Sequence, residues 1–297
     1  MPDRVLTATA SDGSFSIATG ITTDLVREIQ SRLELSPTAS AALGRLVTAA
    51  TLLGTSLKGA ERLSLQVAAN GPLGGMSADV AALSPGVLGA RGYARAPAAD
   101  LPLNSRGKFD VAGVVGNGHL QVTRSFEVGQ PYVGIVALAS GEIAEDVAAY
   151  LADSQQIPSV VALGVLANPG GIVAAGGAIA QVMPGAGERT IAALEERAAA
   201  MASITEQIEA GASAEALART LGGSLELRHF REYDVRFTCR CTRRRVQTAL
   251  LGLGRDELAK IAREQQSTEA VCEFCKKRYV LSRDEVTSLI ARLEARS

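Results

Sequence analysis

The sequence predicts an α+β fold in unequal parts: an N-terminal mixed α/β core domain of hairpin-rich sheets with packing helices, a helical linker, and a small C-terminal four-cysteine zinc module. Three observations carry this reading. All four cysteines of the 297-residue chain lie between positions 239 and 275. Residues 239–297 hold 13 Lys/Arg against 8 Asp/Glu, a net of +5, whereas residues 1–238 hold 17 against 23, a net of −6. Before position 184, short apolar runs bounded by turn signals alternate with helical stretches, without the strict βαβ order of a doubly wound sheet. The expected boundaries are a core domain at 1–184, a helical linker at 185–238 and a four-cysteine module at 239–297.

The elements follow in order. Val5–Thr9 and Ser14–Ala18 flank Ser11-Asp12-Gly13, a hairpin signal. Asp24–Leu33 has helical periodicity. Ser36-Pro37 reads as an N-cap followed by proline at the first helical position, opening a helix over Thr38–Leu57 rich in small residues. Leu63–Ala68 alternates as a strand and ends at the turn cluster Asn70-Gly71-Pro72-Leu73-Gly74. Val87–Tyr93, Leu120–Phe126 and Tyr132–Leu138 read as further strands, and Glu142–Leu151 as a helix. Residues 158–184 carry no charge, but Asn168-Pro169-Gly170-Gly171 interrupts them, so two buried strands, 159–167 and 172–182, are expected rather than a membrane span. Residues 187–221 are rich in Ala and Glu with helical spacing, broken at Gly211-Ala212-Ser213, where Ser213 can cap the next helix. Gly222-Gly223 ends that stretch, and Ser224–Thr238 reads as an extended, charged segment. Arg255–Gln265 reads as a helix, and Ser282-Arg283-Asp284-Glu285 as a capping box opening Asp284–Ala295.

Composition excludes several functions. With 47% apolar and 21% charged residues the chain is globular, not disordered. A net charge of −1 lacks the basic footprint of a dedicated nucleic-acid binder. The only histidines, His119 and His229, exclude a three-histidine metal site and read as strand-surface residues. Gly116-Asn117-Gly118 reads as a hairpin turn, not a phosphate loop. Met1-Pro2-Asp3-Arg4 is followed by no signal-type apolar run, so the expected compartment is the cytoplasm.

The chemistry concentrates in the cysteines. Cys239-x-Cys241 and Cys272-x-x-Cys275 are two close pairs separated by thirty residues, the spacing of a tetrahedral zinc site. Four thiolates satisfy one Zn²⁺ without histidine. If Cys239 and Cys241 stand at i and i+2 of a strand, their Cα atoms lie about 6.4–6.8 Å apart on one face. That suits a shared metal and sits at the outer limit for a disulfide. Cys272-Glu273-Phe274-Cys275 is a turn able to hold either. Arg240, Arg243, Arg244, Arg245, Lys276, Lys277 and Arg278 crowd the sulfurs and are expected to offset their charge.

The chain resembles the 33 kDa chaperonin family, a redox-regulated bacterial heat-shock holdase. The resemblance rests on the four cysteines with Phe274 and Tyr279. It extends through LGRLVTAATLLGTSLKG (43–59), LSLQVAANGPLG (63–74), ARGYARAP (90–97), PYVGIVAL (131–138), AAYLADSQQIPS (148–159) and AAGGAIAQVMPGA (174–186). It departs where the family has an acidic residue in place of Arg244, Ser-Glu-Gln in place of Ser154-Gln155-Gln156, and an Asp-Gly turn in place of Gln265-Gln266-Ser267. The resemblance implies a non-enzymatic, ATP-independent chaperone whose reduced form holds zinc on Cys239, Cys241, Cys272 and Cys275. Oxidation with unfolding stress then joins Cys239 to Cys241 and Cys272 to Cys275, expels zinc, loosens the module and linker, and yields a homodimer that holds unfolding client proteins. Two readings compete: a constitutive zinc ribbon binding nucleic acid or a partner protein, and a thiol-disulfide enzyme using Cys272 and Cys275.

Overall fold

Arg4–Ala10 (β1) and Phe15–Ile21 (β2) pair across the predicted turn, in the computed structural model that describes residues 2–186 and 188–294. Asp12 stabilises that turn by accepting from the Ser14 N–H and hydroxyl, and Gly13 takes φ +74°. Then follow α1 (Thr23–Leu33), α2 (Pro37–Leu53), β3 (Arg62–Ala69), β4 (Met76–Ser84), β5 (Val87–Ala94), α3 (Val111–Val115), β6 (Gly118–Ser125), β7 (Tyr132–Ala137) and α4 (Ala144–Asp153). The apolar segment becomes β8 (Ser159–Asn168) and β9 (Gly171–Val182), an antiparallel pair; no helix among the described residues is long and apolar enough to cross a membrane. The first unit closes with α5 (Glu188–Ala200), α6 (Ile204–Glu209), α7 (Ala214–Gly222) and β10 (Leu227–Phe237).

The strands form one ten-stranded sheet, in the order β7-β6-β3-β4-β5-β10-β1-β2-β9-β8. It wraps around α2, which touches β2, β3, β4, β5, β8 and β9. That is why fourteen of the seventeen α2 residues are buried and why they are mostly Ala, Thr, Gly and Leu. A side chain at Gly44 would meet the methyls of Val26 and Val165 at 2.8 Å. Ser36 caps α2 as predicted, accepting from the Ala39 N–H, with Pro37 at the first position. The helix ends at Leu53, short of the expected Leu57, because residues 54–56 tighten into a 3₁₀ turn. Helix α4 contacts both edge strands, β7 and β8.

Two findings differ from the expectations. Gly116-Asn117-Gly118 does not turn a hairpin; Gly116, at φ +75°, ends α3 and the chain passes directly into β6. Strand β4 escapes a reading of propensity, since Met76–Ser84 is half Ala and Ser. The segment 185–238 folds back within the compact unit 1–238. There α6 packs on β8 and β9, α7 on β1 and β2, and Leu194, Ile204, Leu217, Leu221 and Leu227 bury with Leu6, Phe15 and Ile17 in a second core. Ser203 and Ser213 cap α6 and α7, and the Thr19 hydroxyl donates to the Ala214 carbonyl. Its last strand, β10, pairs antiparallel with β1 and parallel with β5. A bulge opposite Thr7 and Thr9 leaves the exposed His229 at φ +56°.

The second unit, 239–297, contains α8 (Arg243–Leu251), α9 (Arg255–Glu264), the hairpin β11 (Ser267–Val271) and β12 (Arg278–Ser282), and α10 (Arg283–Glu294). Its core is small: Leu258, Tyr279, Leu281, Val286 and Leu289 are buried.

Asp3 supplies a cap that local sequence does not reveal. Thr22 makes no side-chain cap for α1; instead the Asp3 carboxylate accepts from the Asp24 N–H at 2.9 Å and the Leu25 N–H at 2.6 Å. Burial dominates these bonds and raises the Asp3 pKa from 3.8 to about 6. The folded chain therefore binds more protons than the unfolded one between those values. Stability from this group falls as pH rises through that window, by on the order of 3 kcal/mol. Urea unfolding of wild type and Asp3→Asn from pH 3.5 to 7.5 should show that extra fall in wild type alone. Parallel profiles would refute it.

A four-cysteine cluster

Strand β10 stops at Phe237, and residues 238–242 are irregular. Cys239 and Cys241 therefore do not stand on a strand, and the expected i, i+2 strain does not arise. The Thr242 side chain then caps α8 by accepting from the Arg245 N–H, so the first pair leads directly into a helix. The second pair lies, as expected, in the turn that closes the β11–β12 hairpin. There the Cys272 N–H donates to the Lys277 carbonyl, and the Lys276 N–H donates to the Cys272 carbonyl. Lys276 takes φ +56° to make that reversal.

Folding brings all four sulfurs together within 4.8 Å of one another. Cys239 Sγ is 3.6 Å from Cys272 Sγ, and Cys241 Sγ is 3.3 Å from Cys275 Sγ. These are far longer than a disulfide bond of about 2.05 Å, and none of the four cysteines is in a disulfide. The cluster could hold a metal ion, and it is the one such group of His, Cys, Asp or Glu among the described residues. His119 and His229 lie on β6 and β10, exposed and outside it.

Hydrogen-bond donors surround the sulfurs. The amides of Phe274 and Cys275 face Cys272, the Lys277 amide faces Cys275, and the Tyr279 hydroxyl donates to Cys241 Sγ at 3.1 Å. Burial pushes the Cys241 thiol up, but the Tyr279 hydroxyl and the neighbouring thiols outweigh it, leaving a pKa of about 7. Burial, opposed by its two amides, raises Cys272; burial together with the adjacent thiols pushes Cys275 up to about 12. One sulfur thus ionises readily and the charge it carries opposes the next. A bound cation would displace the remaining protons, coupling metal affinity to pH.

The basic residues are engaged differently from the expectation. Arg243 forms a two-pronged pair with Glu285 at 2.9 and 2.7 Å and also donates to the Val280 carbonyl. Lys276 pairs with Glu273, Arg278 with Glu269, and Arg245 donates to the Arg240 carbonyl. Lys277 lies over the Tyr279 ring, 5.4 Å from its centre. The role of Tyr279 at the cluster is not readable from propensity. Its signal is positional: it falls four residues after Cys275 and on the buried side of β12, whose exposure alternates.

A curved-sheet domain followed by a four-cysteine module defines the class of this protein. The Hsp33 protein family matches residues 3–282, and the chain belongs to that family. It is 39% identical over 295 residues to the 33 kDa chaperonin of Desulforamulus reducens, covering 99% of each. It is 42% identical over 297 residues to that of Clostridium acetobutylicum, again covering 99% of each. The crystal structure of the 33 kDa chaperonin from Thermotoga maritima superposes with a TM-score of 0.88 at 32% identity, covering 100% of both chains.

Proposed function

We propose that this protein is a cytoplasmic, redox-regulated, ATP-independent chaperone that binds zinc when reduced and unfolding client proteins when oxidised. The observation that carries it is the convergence of four cysteine sulfurs, none in a disulfide, within 4.8 Å. Zn–S bonds of about 2.3 Å in a tetrahedron place sulfurs about 3.8 Å apart, close to the 3.3 and 3.6 Å contacts here. Soft thiolate donors select zinc over harder cations. Bound there, zinc supplies a structural cross-link between the two ends of the module and keeps its ligands deprotonated. Peroxide joins each pair at the cost of two thiolates and two protons, and is itself reduced to two waters. Joining Cys239 to Cys241 and Cys272 to Cys275 removes all four ligands and with them the support of the small core. Release of α5–α7 from the sheet would then bare Leu6, Phe15 and Ile17, a surface suited to clients, and the oxidised form is a homodimer.

A constitutive zinc ribbon is the rival reading, favoured by the +5 charge of residues 239–297. Several of those cations are already paired with carboxylates. Peroxide at mild heat should release one zinc per chain, trap both disulfides by mass spectrometry, and switch on suppression of a thermally unfolding client. Client protection equal before and after oxidation, or nucleic-acid binding indifferent to it, would discard the proposal.

A further inference from the structure

Three of the four sulfurs are met by donors of two kinds. Those facing Cys272 and Cys275 are main-chain amides, fixed by the turn itself. The donor to Cys241 includes a side-chain hydroxyl, that of Tyr279, at 3.1 Å. Tyr279 is 6% exposed, belongs to the core with Leu258 and Leu281, and holds Lys277 against its ring face. Its ring is locked by packing, so the hydroxyl is aimed rather than free to rotate to water.

We propose that Tyr279 is a positioning residue that sets the oxidation threshold of Cys241: its hydroxyl, donating to Cys241 Sγ, orients that sulfur and withdraws electron density from it. This inference rests on the redox-switch reading and names a residue that regulates it. Hydrogen bonds to metal-bound sulfur fix ligand orientation and lower the energy of the sulfur lone pair. That lone pair is what attacks peroxide. In the step concerned, Cys241 sulfur takes one peroxide oxygen to become a sulfenic acid, and the other oxygen leaves as water after taking a proton. The Cys239 thiolate then displaces the sulfenic oxygen, which leaves as a second water with a second proton, and the Cys239–Cys241 bond forms. The hydroxyl opposes the first event by binding the electron pair that must be given up.

Full-length Tyr279→Phe retains the ring and loses only the donor. Its second-order rate of Cys239–Cys241 formation with hydrogen peroxide, followed by thiol trapping and zinc release, should rise roughly three- to tenfold over wild type, about what one ordinary hydrogen bond is worth net. Cobalt-substituted Tyr279→Phe should show its sulfur-to-metal charge-transfer band moved to longer wavelength. Tyr279→Leu, which also removes the ring, serves as the packing control. A Tyr279→Phe protein matching wild type in rate and cobalt spectrum, with only Tyr279→Leu altered, would reduce Tyr279 to a packing residue and overturn the inference. So would a Tyr279→Phe protein that no longer retains metal, since the role would then be one of folding. If wild type itself releases no zinc to peroxide, the redox-switch reading fails instead, and the two failures are distinct.

Discussion

Cys272→Ser is expected to bring the proposed zinc content, one per chain, to near zero and to unfold residues 239–297, while residues 1–238 keep their fold. The effect is large because the core that remains is small. Among the described residues of that unit only Leu258, Tyr279, Leu281, Val286 and Leu289 are buried, and Tyr279 itself leans on Cys241. Structural zinc is worth an apparent 10–16 kcal/mol or about that in small peptides, more than so few apolar side chains offset against the ordering of a module this size. A serine hydroxyl is a poor substitute for a thiolate toward zinc, and the three remaining sulfurs crowd one another. Metal analysis together with limited proteolysis would follow both parts of the claim. Full zinc retention in a protease-resistant C-terminal unit would remove Cys272 from the ligand set.

The second large effect concerns where the chain can be cut. A fragment of residues 1–238 should melt as a cooperative unit, whereas residues 1–184 should not. Cutting at 184 removes β10 from between β5 and β1, leaving both with unpaired backbone inside a sheet. It also strips the cover from Leu6, Phe15, Ile17 and Val160. Exposing four such side chains costs roughly 6–12 kcal/mol, comparable with the whole stability of a typical domain at about 5–15 kcal/mol. Circular dichroism melts and hydrophobic-dye binding of the two fragments would decide it. A 1–184 fragment melting as sharply and at the same temperature as 1–238 would mean that β10 contributes little to the sheet.

What could be read from the sequence divides along a physical line. Local signals were legible. Ser36-Pro37 marked the start of α2, Ser213 the start of α7, Ser11-Asp12-Gly13 the first hairpin, and Gly222-Gly223 the end of α7, because caps and turns are decided by a few adjacent residues. The four cysteines were legible for the same reason, since their spacing alone restricts their chemistry. What needed the structure was long-range pairing. Leu227–Phe237 reads as a charged, extended segment, and most of it is indeed exposed. Its place in the sheet depends on partners near residues 4–10 and 87–90, and on cross-strand pairs such as Arg4 with Glu232. The cap given to α1 by Asp3 is hidden in the same way. At the cluster, an i, i+2 pair after an extended segment suggested a strand. The chain instead leaves the sheet at Phe237, because the cap at Thr242 begins a helix immediately after Cys241. The limit that strand spacing would set on a Cys239–Cys241 disulfide therefore does not apply here. Differences among the sulfurs arise instead from their hydrogen-bond donors.

The position of β10 also dictates a sequence in time. On the ribosome, β1 to β9 emerge first, and they can assemble as two separate sheets, β7-β6-β3-β4-β5 and β1-β2-β9-β8. Nothing can join them edge to edge until residue 237 is clear of the exit tunnel. Through that interval β1 and β5 present bare backbone to solvent, the kind of template that recruits other unfinished chains. A protein whose proposed task is to prevent aggregation thus passes its own synthesis in an aggregation-prone form, and its last sheet strand is also its release from that hazard.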